Sequence, residues 1–271
     1  MAYVKEIAAL MEEIAPPALA QSWDNAGLII GWPDAPVTRV LAALDCADEV
    51  ITEAAETGAE LIITHHPPIF KGITRITPET GLGRRLLRLI GAGISVYAAH
   101  TNLDAAEGGT NDAFCRAVGL REAAPLIVGG SPIGRVGLIE SDLAGLAGLV
   151  SKAVGFPAVS FTGAPERRIS RAAVCVGSAA GNDFFAAARA ASCEVYITGD
   201  ISYHSAQAAA DAGLCLINTP HFYTENLVIP PLCELLREKA RKAGLSAEIT
   251  PAKSARDVFT LARCFGLSEK I

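Results

Sequence analysis

Apolar residues fall along this chain in two alternating patterns. Short, mostly apolar runs at Val37 to Asp45, Glu60 to Thr64 and Ile94 to Ala99 read as strands buried on both faces. Between them, about Asp48 to Thr57 and Thr80 to Ile90, apolar and polar residues mix at helical spacing, and Gly58 and Gly91 stand where such helices stop. An amphipathic helix is expected from the N-terminus to the break at Pro16-Pro17, and Ser22 to Gly31 reads as a loop feeding a short strand. Another helix begins near Thr110. Gly- and Pro-punctuated short strands over Leu126 to Glu140 suggest a more antiparallel edge. The chain closes with a helix over Glu225 to Ala243 and a strand near Ala247 to Ile249.

The second half repeats the first. Val37-Thr38-Arg39, a strand, a helix and "ELIITHH" (60–66) parallel Ile169-Ser170-Arg171, a strand, a helix and "EVYITGD" (194–200). The next strands, "ISVYAAHTNLD" (94–104) and "LCLINTPHFYTE" (214–225), also correspond, each bringing a His with an acid four residues on. Buried parallel strands resemble one another by chance, so duplication and coincidence both remain open. The expected class is α/β: two similar domains with mostly parallel sheets, residues 1–125 (1–30 a helix and loop) and 126–271, with helix 225–243 packing back. A length of 271 residues suits two such cores.

Charge narrows the partners. Lys plus Arg is 23 and Asp plus Glu is 29, a formal charge of −6 with no basic run, which disfavours direct nucleic-acid binding. Charged residues interrupt the N-terminal helix, so it is no signal peptide, and no stretch approaches the roughly 18 apolar residues of a membrane span. Seven single cysteines, Cys46, Cys115, Cys175, Cys193, Cys215, Cys233 and Cys264, read as reduced thiols. A cytoplasmic protein without membrane partners is expected.

The chemistry lies at the strand ends. All five histidines, His65, His66, His100, His204 and His221, follow predicted strands, at the rim where open parallel sheets bind ligands. Singly, each has a plainer reading. His65-His66 would be one packed and one exposed ring; Asp104 and Glu225 would cap helix termini. Taken together, imidazoles and carboxylates without thiolates suit Zn, Mn, Fe or Ni, and five ligands fit two divalent ions sharing a bridging carboxylate. Gly177 to Gly181 either cradles a phosphate or is a tight strand-to-helix turn.

The blocks "SWDNAGLIIG" (22–31), "ITHHPPIF" (63–70), "AHTNLDAAEGGTND" (99–112), "TGDISYHSAQAAADAG" (198–213) and "HFYTEN" (221–226) resemble the Nif-three-like dinuclear metal-binding family, often labelled GTP cyclohydrolase I type 2 homologues. The resemblance implies two α/β domains facing each other across a dimetal site, and a homohexameric ring. Carried over by motif, it makes His65, His66, Asp104, His221 and Glu225 the metal ligands, and His100 either a weaker ligand or a base beside them. His204 and Asp24 lie in family motifs with no firm role. Thr219-Pro220 stands where the family usually has Gly, and the extra domain of longer members is absent.

Two functions follow as expectations. One is a metal-dependent hydrolase acting on an unknown small molecule, with a two-metal activated water and His100 moving protons. The other is a non-enzymatic metal-binding or scaffold protein acting through partners. No guanine-reading element is visible, so GTP rests on the family label alone.

Overall fold

The computed structural model describes residues 1–261. Its first part runs β1 (Ala2–Tyr3), α1 (Val4–Ile14), β2 (Gly27–Ile30), β3 (Pro36–Val37), β4 (Arg39–Ala43), α2 (Asp48–Thr57), β5 (Leu61–Thr64), α3 (Gly81–Gly91), β6 (Ser95–Ala98), α4 (Thr101–Ala105) and α5 (Thr110–Val118). The chain continues through β7 (Arg121–Val128), β8 (Ser131–Asp142), α6 (Leu143–Val154), β9 (Ser160–Thr162), β10 (Arg168–Ser178), α7 (Asn182–Ala190), β11 (Val195–Gly199), α8 (Tyr203–Asp211), β12 (Cys215–Asn218), α9 (His221–Glu225), α10 (Ile229–Lys242) and β13 (Glu248–Pro251). β1 pairs with β3. The main sheets have the orders β13-β4-β5-β6-β2 and β7-β8-β10-β11-β12-β9. Parallel pairing runs from β13 to β6 and from β10 to β12, with antiparallel strands at the margins.

Each sheet is buried on both faces because successive side chains point oppositely. Leu61 and Ile63 of β5 meet apolar residues of α1 and α10, whereas Ile62 meets those of α2 and α3. In the second sheet Val195 and Ile197 pack with α5 and α6, and Tyr196 with α7. The repeat extends to hydrogen bonding. Glu60 accepts from Thr38 N–H at 3.0 Å, its hydroxyl at 2.8 Å and Arg39 N–H at 2.9 Å. Glu194 accepts from Ser170 N–H at 3.3 Å, its hydroxyl at 2.8 Å and Arg171 N–H at 2.8 Å.

Four expectations need correction. Residues 121–142 form one long hairpin in place of short strands: Gly129 and Gly130, at φ 58° and 87°, make a two-residue turn, and Pro125 is tolerated on the edge strand. The last helix is divided. Glu225 ends α9, a 3-10 turn follows at Asn226–Val228, and Pro230 and Pro231 open α10 afresh. The expected halves, 1–125 and 126–271, differ from the sheets at both ends, since β7 joins the second sheet and β13 completes the first beside β4. The first helix ends at Ile14, because a residue preceding proline disfavours the α conformation. The six described cysteines are buried and free, and Cys264 lies outside the described residues. Among the described residues no helix is long and apolar enough to cross a membrane.

Candidate metal centre

The C-terminal ends of the central strands of both sheets meet in one cleft. β5 delivers His65 and His66, β6 leads through His100 into α4 with Asp104, and β12 leads into α9 with His221 and Glu225. Glu225 sits among them: Oε1 lies 3.7 Å from His65 Nε2, while Oε2 lies 3.0 Å from His66 Nε2 and 2.8 Å from His221 Nε2. Asp104 Oδ1 is 3.5 Å from His65 Nε2, and the Nε2 atoms of His66 and His221 are 3.3 Å apart. Three groups can each bring their donor atoms within 4.8 Å of one another: His65, Asp104 and Glu225; His66, His221 and Glu225; and His65, His66 and His100. Any of them could hold a metal ion. His204 stands apart, exposed on α8 and 3.3 Å from Gln207 Oε1.

Every clustered ring is held from behind. Nδ1 faces the Ala99 carbonyl at 2.9 Å in His65, Asp45 at 2.8 Å in His66, Asp24 at 2.7 Å in His100 and Asp200 at 2.8 Å in His221. These partners are acceptors, so they assign the N–H to Nδ1 and leave Nε2 to the cleft, as in metal-binding histidines. Two such lone pairs 3.3 Å apart repel unless a proton or cation lies between them. His65 Nε2 is buried with no hydrogen-bond partner, and the short contacts of Glu225 Oε2 are not aligned as hydrogen bonds. The residues present therefore fit a cation.

The electrostatics agree. Burial opposes the imidazolium form of His66, but the bond to Asp45 and the nearby Glu225 charge outweigh it and raise the pKa to about 10. Burial likewise opposes charge on His221, and Glu225 with Asp200 raises it to about 9. Asp104 is pushed up by burial and by the Glu225 charge, against the pull of His65. Glu225 is held well below the usual carboxylate range, because the surrounding imidazoles overcome its burial.

Neighbouring residues shape the cleft. Gly177 has φ 74°, and a Cβ there would come within 1.9 Å of Glu225 Oε1. Its N–H donates to Thr224 Oγ1 and that of Ala179 to Thr198 Oγ1. The loop thus matches the tight turn of the two sequence readings, with the amides of Gly177 and Ala179 already engaged. Thr110 donates its hydroxyl to Asp104, and Asn111 joins the Asp104 carbonyl at 3.1 Å to the Val176 N–H at 3.0 Å in the other half. Neither Asp45 nor Asp200 stands out from the sequence as a site residue, and Gly177 is read there only as part of the loop over Gly177 to Gly181. The internal repeat carried a signal for Asp200, which aligns with His66.

The family model described as Duf34/NIF3 (NGG1p interacting factor 3) matches residues 2–257. The chain belongs to this family. A relative from Clostridium perfringens, named GTP cyclohydrolase 1 type 2 homolog, is 35% identical over 264 residues, covering 94% of this chain and 98% of the relative. A solved Staphylococcus aureus protein superposes with a TM-score of 0.90 at 28% identity, covering 96% of this chain and 99% of its own. A Bacillus cereus protein described as related to NIF3 reaches 0.91 at 24% identity over 97% and 99%, which speaks for the fold alone. The family and the α/β architecture expected from the motifs are thus both borne out. Beside the NIF3 cleft a cavity of about 690 Å³ is lined by His66 and His221 together with Asp45, Asp200, Phe222 and Arg256.

Proposed function

We propose that this protein is a metal-dependent hydrolase of a small molecule, with two divalent ions held by His65, His66, Asp104, His221 and Glu225. The observation that carries this reading is Glu225, whose two oxygens face different imidazole groups, as a carboxylate shared between two ions would. A bound pair of Zn, Fe, Mn or Ni ions would supply Lewis acidity and bring the pKa of water toward neutrality. The chain's own residues do the rest. Glu225 and Asp104 provide negative charge where cations gather, the Nδ1 anchors hold the rings in register, and His100 takes and returns a proton. The adjoining cavity is large enough for a small substrate.

The test is metal analysis and turnover by reconstituted protein against a panel of phosphoesters, amides and GTP, with His65→Ala and Glu225→Ala alongside. Wild-type turnover that both variants lose is expected. Equal activity in all three defeats the reading, and metal bound without any turnover favours the metal-binding or scaffold function. A homohexamer belongs to the same proposal, and light scattering on the eluting protein tests it.

A further inference from the structure

The segment Trp23-Asp24-Asn25 precedes β2, yet the side chains of Trp23 and Asp24 meet His100. The Asp24 side chain is wholly shielded from solvent and is fully engaged. Its Oδ1 accepts the Asn25 N–H at 2.7 Å and faces His100 Nδ1 at 2.7 Å, while Oδ2 accepts the Thr101 N–H at 3.0 Å and the Thr101 hydroxyl. Burial alone would favour a neutral acid, but bonds from His100 and Thr101 hold the group well below the usual carboxylate range. An ionised carboxylate only accepts, so His100 must present N–H at Nδ1. His100 also offers a ring nitrogen to the group formed with His65 and His66, and with Nδ1 engaged that nitrogen is Nε2. The neighbours restrain the ring further. Trp23 and Phe70 stand nearly edge-on to it at 6.2 Å and 6.1 Å, and the Asn25 side chain pins the Phe70 loop by donating to the Ile69 carbonyl at 2.6 Å.

We propose that Asp24 is the positioning residue of His100, fixing its Nδ1–H tautomer and turning Nε2 into the cleft as the site of proton transfer. The catalytic use of that nitrogen rests on the hydrolase reading; the tautomer does not. In hydrolysis a water O–H bond breaks as Nε2–H forms, and the water oxygen bonds to the electrophilic centre of the substrate. The leaving group then departs with the proton from Nε2, which restores the neutral ring. Asp24 stays ionised throughout and balances the transient imidazolium.

Nitrogen-15 NMR of the metal-free whole chain, labelled at histidine, tests this at a pH where the ring is neutral, with His100→Gln assigning the signals. A pyrrole-type Nδ1 and a pyridine-type Nε2 are expected. In Asp24→Asn the Thr101 donors keep the remaining oxygen, the amide NH₂ turns to His100, and the two signal types exchange. A wild-type ring protonated at Nε2, or an Asp24→Asn spectrum matching the wild type, overturns the proposal. If the variant does not fold, the wild-type spectrum alone still decides. In any turnover assay Asp24→Asn should lower kcat at least about tenfold, with KM and bound metal nearly unchanged; loss of metal instead would overturn the assignment to His100. A wild-type protein without turnover defeats the hydrolase reading and leaves the tautomer result standing.

Discussion

Glu225 occupies its place because residue 177 has no side chain. At φ 74°, where a Cβ would fall 1.9 Å from Glu225 Oε1, Gly177→Ala must both strain the backbone and displace the carboxylate. Metal affinity is expected to fall about tenfold or more, the range seen when groups supporting a ligand are altered. Competition with a chelator measures it, and affinity equal to wild type would show that Glu225 does not hold the ion. Protons compete for the same atoms. Without a metal, the neighbouring carboxylates push the His66 pKa up to about 10 and that of His221 up to about 9, against 6.5 for an ordinary imidazole. A raised folded-state pKa stabilises fully below the unfolded value and loses that stabilisation as pH climbs through the folded one. Chelator-treated protein should therefore unfold at lower urea as pH rises from near neutrality through 9 to 10, while cation binding strengthens over the same range. Urea midpoints that stay flat would contradict the pairing of these rings with Asp45, Asp200 and Glu225.

At the scale of elements, short helices aim the acids. α4 has only five residues and little stability of its own, so its position comes from outside. Arg135 on β8 supplies much of it. Its guanidinium grips Asp112 at 2.6 Å and 3.1 Å and donates to the carbonyls of Ala105 at 3.3 Å and Ala106 at 2.8 Å, at the end of α4. Arg135→Met would leave Asp112 without its buried partner and take the guanidinium from both carbonyls, of which Ala106 keeps only the Gly109 N–H. A loss of about 3–5 kcal/mol in urea unfolding is expected, and Arg135→Lys should not restore it, because an ammonium lacks the planar fork. A cost below about 1 kcal/mol would mean solvent replaces the guanidinium there.

At the scale of the molecule, both ends of the described chain build the first lobe. Ile249 of β13 is buried in the core that also holds Val4, Leu61 and Leu232. Ile249→Ala should cost about 2–5 kcal/mol by leaving a cavity. Hydrogen exchange should then rise at β4 and β5, although the substitution lies some two hundred residues away along the chain. Exchange confined to β13 would show that the returning strand is only loosely attached.

The sequence by itself determined the repeated strand–helix alternation, since buried parallel strands and amphipathic helices each leave a local pattern of apolar positions. It also determined the candidate chemistry, because His65, His66, His100, Asp104, His221 and Glu225 all follow such strands and only rim positions leave them free. Tertiary structure decided what periodicity cannot encode. That β13 would cross back, that His204 would stay outside the cleft, and that Asp24, Asp45 and Asp200 would each stand behind a different ring all depend on contacts between distant segments. Such contacts are fixed by which strands lie side by side within each sheet, and no local run of residues carries that information.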